Sequence, residues 1–312
     1  MDLRQLRYFV GIVQAGSLSR AAGHLHVAQS AISQHLARLE AELKQKLVIR
    51  GLKGIALTDA GTVLYRHAEA ILRHIDIAKQ QAMSAVAEPS GRVAVGFPSA
   101  LSNILGYEFF LQMRKDYPKI TLHLTDGNSS LLRERLDNGR IDIALLFLAR
   151  SERGLFVEPF GLEELFYVSS LPGSAPVTLE AAVRRPLLLP GPGSGIEKAV
   201  REAFRERDLN PIIIGEIDTM TTLRRAVAAG AADTILPWAA LTEEGGSRRL
   251  RARRFVDVKL VRPVALCFSE VSDGGPAIDA SAATLKTTID RLIKSRKWQG
   301  VSAGVLGVET LR

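Results

Sequence analysis

The sequence predicts an α/β protein with a helical head at its N-terminus, and three patterns carry that expectation. Apolar residues recur at helical spacing through the first 43 residues. A heptad-like stripe then runs from about 58 to 87. Strand-like and helix-like segments alternate from 91 to 296, the order that builds an α/β domain with largely parallel sheets.

The head is built from three helices and a hairpin. Leu3, Leu6, Phe9, Val10 and Val13 form the face of the first helix, which Gly16 ends. Ser17 is a natural N-cap for a second helix, whose stripe is Leu18, Ala21, Ala22 and Leu25. After a short connection through His26, Val27 and Ala28, a third helix is expected over 29–43, burying Ile32, Leu36, Leu39 and Leu43. Ser30, Gln34, Ala37 and Arg38 fall on its opposite side, with Ser33 on the flank. Two short helices around a tight turn make a helix-turn-helix, whose second helix enters the DNA major groove. Its polar face suits that role, since Gln can bond adenine edges and Arg reads guanine or holds phosphate. Residues 47–50 and 55–57 read as the two strands of a wing around the turn 51–54. Arg50 and Lys53 lie near its tip, where DNA phosphate is the natural partner.

Thr58 is placed to cap a long helix to about residue 87. Its stripe is Leu64, Ala68, Ile71, Ile75, Ala78, Ala82 and Ala85. About 28 residues at 1.5 Å each span roughly 42 Å. That is too long to cover on a small head, so a second copy of the chain is the expected partner, with packing on its own body as the alternative. Glu88-Pro89-Ser90-Gly91 breaks the helix and marks a boundary.

The charge agrees with this division. The 312 residues carry 41 Lys and Arg against 33 Asp and Glu, a net +8. Residues 1–87 hold eleven basic and six acidic side chains, +5, so only +3 remains for the other 225. A basic module on a nearly neutral body suits a polyanion-binding head, with a solvated basic surface as the alternative. Hydrophobic residues at 46% and charged residues at 24% exclude a disordered chain. One cysteine, Cys267, excludes an intrachain disulfide framework and a cysteine-cluster zinc site, and it is expected to be a small core residue. No stretch approaches a membrane span and no signal-peptide pattern opens the chain, so a cytoplasmic location is expected.

Several motifs in one order carry a family resemblance. Residues 3–9 (Leu-Arg-Gln-Leu-Arg-Tyr-Phe), 16–22 (Gly-Ser-Leu-Ser-Arg-Ala-Ala) and 28–33 (Ala-Gln-Ser-Ala-Ile-Ser) are followed by Leu39-Glu40 and Leu57-Thr58-Asp59-Ala60-Gly61. The chain resembles the LysR-type transcriptional regulators, strongly over its first 65 residues and more weakly to about 296. Residues 47–50, 214–217 and 297–299 look most similar to the nitrogen assimilation control (Nac) subgroup. Ala28 stands where the family often has a capping Thr, Ser30 where Pro is common, and Val48 where Phe is usual. Residues 230–233 (Gly-Ala-Ala-Asp) depart from the usual Gly-x-Gly. The resemblance implies double-stranded DNA as partner, an interrupted palindrome as target, a homodimer or dimer of dimers, and RNA polymerase as a further candidate partner. The implied DNA contacts are Ser17, Arg20, Gln29, Ser30, Ser33, Gln34, Arg38, Arg50 and Lys53.

The resemblance also implies a winged helix-turn-helix domain (1–58), a linker helix (59–88) and a two-lobed effector domain (91–312), Rossmann-like and similar to periplasmic solute-binding proteins. Lobe I would be about 91–161 with 264–296, and lobe II about 162–263. Strands are expected at 92–97, 120–124, 141–147, 186–189, 212–216, 234–236 and 264–268, with helices at 129–138, 196–207 and 221–229. Ligands of open α/β sheets sit at strand ends, where helix N-termini favour anions. The candidate cleft residues are therefore Ser99, Ala100, Ser102, Asn128, Ser129, Phe147, Gly191, Met220 and Thr221, with Ser99 first. A plain N-cap is the competing role for each Ser or Thr, and the core for Phe147. Pro-Gly-Pro-Gly-Ser-Gly at 190–195 lacks the Lys-Ser/Thr ending of a P-loop, which argues against nucleotide hydrolysis. Arg248, Arg249, Arg251, Arg253 and Arg254 read as a solvated loop between two elements, with an anion or nucleic-acid site as the alternative.

His123 is the sole histidine of the body, and no catalytic triad or metal set accompanies it, so no cofactor and no catalysis are expected. The function expected is a regulator controlled by a small anionic effector. The alternatives are a Nac-like regulator needing no effector, and a cytosolic solute-binding protein or α/β enzyme.

Overall fold

A computed structural model describes residues 1–51, 54–83, 88–148, 154–241, 250–269 and 274–303. Two compact units divide the chain, one of residues 1–85 with 138–140 and 271–273, here called the head, and a body of residues 86–137, 141–270 and 274–312.

In the head, α1 (Leu3–Ala15) starts on a capping box. Gln5 N donates to Asp2 Oδ1 at 2.8 Å and Asp2 N donates to Gln5 Oε1 at 2.7 Å. Gly16 ends the helix at φ 62°, a left-handed conformation that glycine adopts without steric cost. Next come α2 (Leu18–His24) and α3 (Gln29–Leu43). Ser17 and Ala28 occupy their N-cap positions in extended conformation, and neither side chain makes a cap bond. For Ala28 that follows from its methyl side chain.

The head core contains Leu6, Phe9, Ile12, Ala21, Ile32, Leu36, Leu39 and Leu47. Two expected core residues lie outside it. Leu3 is 45% and Leu43 37% exposed, being the first and last residues of their helices. Ile12 is fully buried instead.

The wing is the antiparallel pair β1 (Val48–Gly51) and β2 (Gly54–Leu57), with Val48 opposite Leu57. Lys53, the side chain of Arg50, and residues 84–87 of the expected linker helix lie outside the described residues. Helix α4 (Asp59–Met83) begins where Thr58 Oγ1 accepts from Gly61 N at 2.9 Å and donates to Lys46 O at 2.6 Å. Gly61 is required there, because a Cβ would lie 1.9 Å from the Leu47 carbonyl oxygen. The head covers part of the α4 stripe after all: Ala68 is fully buried, and Leu64, Tyr65 and Leu72 pack on the head core. Ile71 and Ala78 are exposed.

The body begins with β3 (Gly91–Pro98), the short α5 (Ser99–Leu101), a π-helical turn (Ser102–Gly106) and α6 (Tyr107–Asp116). Then come β4 (Ile120–Gly127), α7 (Ser129–Asp137), β5 (Ile143–Leu146) and β6 (Leu155–Ser169). Next are α8 (Leu179–Val183), β7 (Leu187–Leu189), α9 (Gly195–Arg205), β8 (Ile213–Glu216), α10 (Met220–Ala228) and β9 (Thr234–Pro237). The chain finishes with β10 (Arg251–Arg253), β11 (Val261–Ser269), α11 (Pro276–Lys294) and β12 (Val301–Ala303).

The sheets are mixed rather than largely parallel. Strand β3 is parallel to β4 and β5, and β7 to β8. Strands β9, β10, β11 and β12 all pair antiparallel with β6, and β11 also with β5. The reason is β6. Its 15 residues contain Pro159, Gly161 and three glutamates, a pattern that conceals a strand in sequence. A bulge opposite Val264/Ala265 leaves Phe160 without a register partner.

Strand β3 is buried on both faces. Val93, Val95 and Phe97 enter one core with Phe109 and Leu285, and Ala94 enters another with Leu136 and Cys267. Strand β6 begins in the Cys267 core at Leu155 and ends, at Leu165–Val168, in a third core with Leu189, Phe204 and Ile235.

Candidate functional site

The head offers the exposed face of α3. Gln29, Ser30, Gln34 and Arg38 are exposed on this helix, Ser33 is half-buried, and Arg20 is exposed on α2. Ser17 is half-buried at the start of α2. Ser19 Oγ donates to Gln29 Oε1 at 3.0 Å. Ile32, Leu36 and Leu39 anchor the other side of α3 in the head core. His35 lies between these faces, edge-on to Tyr8 at 5.0 Å between ring centroids.

Within the body lies a cavity of about 440 Å³, in the range of small-molecule sites. The N-terminal ends of α5, α7, α9 and α10 meet on it, through Ser99, Ser129, Gly195 and Met220. Ala100, Asn128, Phe147 and Thr221 also line it. Two expected residues do not. Ser102 gives way to Asn103, which at four residues after Ser99 falls nearer its helix face than Ser102 at three. Gly191 turns its N–H to Asp218 Oδ1 at 2.9 Å, and Pro190 and Ser194 line the cavity in its place.

Hydrogen bonds separate caps from free groups. Asn128 Oδ1 accepts from Leu131 N at 2.9 Å and Ser194 Oγ from Ile196 N at 3.1 Å, so both cap their helices. Thr219 makes no cap bond, and the buried Ser129 Oγ meets no partner among the described residues. The Gly-rich loop serves close packing: a Cβ on Gly195 would lie 3.0 Å from Phe147 Cβ. Phe147 belongs to both settings, packing on the core and lining the cavity.

Arg262 is the side chain that sequence reading missed. It lies on β11, is 3% exposed and lines the cavity. Its Nε and Nη2 donate to Glu163 Oε2 at 2.9 and 2.6 Å, and its Cζ lies 3.2 Å from the centroid of Phe147. Glu163 is fully buried and accepts from Trp298 Nε1 at 3.0 Å. Burial pulls the Arg262 pKa down and the Glu163 charge opposes this, so the guanidinium stays protonated. A lone arginine in the apolar run 261–268 was the signal available in sequence.

The arginine cluster is not the solvated loop expected. Residues 251–253 form β10 against β6. Arg253 lies over Tyr167 at 4.9 Å and donates to Ser169 Oγ at 3.1 Å, and Arg254 pairs with Glu164 at 3.3 Å. Arg248 and Arg249 lie outside the described residues. Among the described residues no group of three or more His, Cys, Asp or Glu side chains could hold a metal, and no helix is long and apolar enough to cross a membrane.

Residues 3–62 match the bacterial regulatory helix-turn-helix protein family of lysR type, and residues 87–290 match the LysR substrate binding domain. The chain belongs to the LysR family. This regulator is 34% identical over 306 residues to the nitrogen assimilation regulatory protein nac of Escherichia coli, covering 97% of this chain and all of that one. Among solved structures it is similar to a full-length OxyR variant from Pseudomonas aeruginosa, with TM-score 0.73, 23% identity and coverage of 93% and 94%. Full-length CbnR in complex with its target DNA gives TM-score 0.67 at 23% identity, with coverage of 93% and 99%. The protein is thus a LysR-type transcriptional regulator with a helix-turn-helix DNA-binding domain and an effector-binding domain.

Proposed function

We propose that α3 of this regulator enters the major groove of a promoter operator, with Ser30, Gln34 and Arg38 facing the bases. Ser17, Arg20, Gln29, Ser33, Arg50 and Lys53 complete the contact set, the basic ones on phosphate. The carrying observation is the polar exposed face of α3, set opposite a fully packed Ile32–Leu36–Leu39 stripe. The exposed Ile71 and Ala78 on α4 support pairing with a second copy, giving a homodimer and then a dimer of dimers that can meet RNA polymerase in the cytoplasm. The domain division follows as 1–58, 59–88 and 91–312, with β6 and β11 as the strands that cross between lobes.

The cavity supports a small effector with an anionic group, drawn by three helix N-termini and Arg262. Its binding would shift the population of body conformations rather than drive catalysis. Mobility-shift titration on the DNA upstream of the gene tests the first part, and affinity no greater than for random DNA at physiological salt overturns it. A thermal-shift screen of metabolites tests the second. A ligand at 100 times its Kd adds about 2.7 kcal/mol of stability. Absence of any shift favours the effector-free, Nac-like alternative.

A further inference from the structure

The charges around the cavity say more than that an anion fits. Three charged side chains line it: Asp126, Asp218 and Arg262. The Arg262 charge is already matched by the fully buried Glu163 behind it. Asp126 and Asp218 are exposed, and neither forms an ion pair among the described residues. Asp218 Oδ1 accepts from Gly191 N, which holds the carboxylate in place, and Oδ2 takes no hydrogen bond among the described residues. Side-chain charge around the space is therefore negative, and a ligand carrying only anionic groups would leave the two carboxylates without a cationic partner on the ligand.

The same space still has an anion-binding end. Glu163 takes Nε and Nη2 of Arg262 and leaves Nη1, on a side chain only 3% exposed that lines the cavity. The buried Ser129 Oγ, without a partner among the described residues, is a second donor that can turn toward a ligand oxygen. The N-terminal ends of α7, α9 and α10 add their partial positive charge.

Resting on the effector reading above, we infer that the cavity ligand is a zwitterion, with a carboxylate or similar anion at Arg262 Nη1 and Ser129, and an ammonium between Asp126 and Asp218. Amino acids and their close derivatives are the simplest members of this class.

The test uses the full-length protein and calorimetric or thermal-shift binding. The probes are the standard amino acids, the matching 2-hydroxy acids that lack the amine, and the matching amines that lack the acid. At least one amino acid is expected to bind ten-fold or more tightly than both partners in its set. The Asp126→Asn/Asp218→Asn double variant should bring the amino acid and its hydroxy acid to within about two-fold. Asparagine at 218 can still accept from Gly191, so the variant keeps its fold, checked by an unchanged ligand-free melting temperature. A hydroxy acid that binds wild type as tightly as the amino acid overturns the zwitterion and leaves the effector reading standing. An amine that binds as tightly removes Arg262 from recognition and overturns it too. No binding by any probe overturns this inference, and a shift with other metabolites in the wider screen would then show that the effector reading survives it.

Discussion

On α3 of the head, Ser30, Gln34 and Arg38 stand in solvent, and the helix is held from its other side by Ile32, Leu36 and Leu39. In the body, Arg262 is 3% exposed, rests on Phe147 and is neutralised by a glutamate that is itself bonded to Trp298. One region leaves its polar groups in solvent. The other holds Arg262 at a fixed, buried position beside a small space. A DNA surface is read by side chains that lose little by being solvated beforehand, whereas a small ligand needs groups already oriented and sheltered from water. The difference teaches where mutations hurt folding and where they hurt recognition.

The largest expected effect breaks the buried pair. Glu163→Ala leaves Arg262 uncompensated and should cost about 3–5 kcal/mol in urea unfolding of the full chain. Arg262→Met with Glu163→Gln, whose amide oxygen still accepts from Trp298 Nε1, should restore most of that stability, since a buried pair contributes little net to folding. A double variant as unstable as the single would show that the head and body do not differ in this way. Next is Gly61→Ala, where the new methyl meets the Leu47 carbonyl and should cost about 1–3 kcal/mol or more, read from thermal melting. Among the head's described glycines this is the closest approach an added Cβ would make, and a neutral result would mean that α4 shifts freely there.

Arg38→Ala should leave melting unchanged and cost about 1–3 kcal/mol of operator affinity if it reads a base. A loss equal on all sequences would assign Arg38 to phosphate instead. The smallest effect concerns Glu40. Burial raises its pKa, but the Lys46 ammonium at 2.7 Å and Leu47 N at 2.9 Å outweigh this and hold it below 4.5. A depressed carboxylate stabilises the fold above its unfolded pKa and is lost as pH falls through its folded pKa. Glu40→Gln should therefore cost about 1 kcal/mol or less at pH 7, and the gap to wild type should close as pH drops below 4.5, followed by melting temperature.

Legibility followed contact range. Helix α3 appears where the 3.6-residue period put it, because its neighbours in space are its neighbours in sequence. The convergence of Ser99, Asn128, Ser129, Met220 and Thr221 was legible as well, since strand-to-helix junctions of an α/β fold point to one side. Ser102 and Gly191 were misplaced by local details, the helix face on which Ser102 falls and a glycine amide turned to Asp218. Strand β6 was missed because Pro159, Gly161 and its glutamates mask the pattern, and its identity depends on β11 about a hundred residues later.

By itself the sequence determined the helix-turn-helix, the polar exposed face of its α3 and the family motifs. All of these are local in period or spacing. Only the tertiary structure decided the rest: that Glu163, Arg262 and Trp298 share one buried network, that Phe147 forms both core and cavity wall, and that Asp126 and Asp218 face the same space. Glu163 lies 99 positions from Arg262 and 135 from Trp298 in the chain. No pattern within a segment can bring such residues together, because what unites them is strand pairing and the burial of charge, which exist only once the sheet has formed.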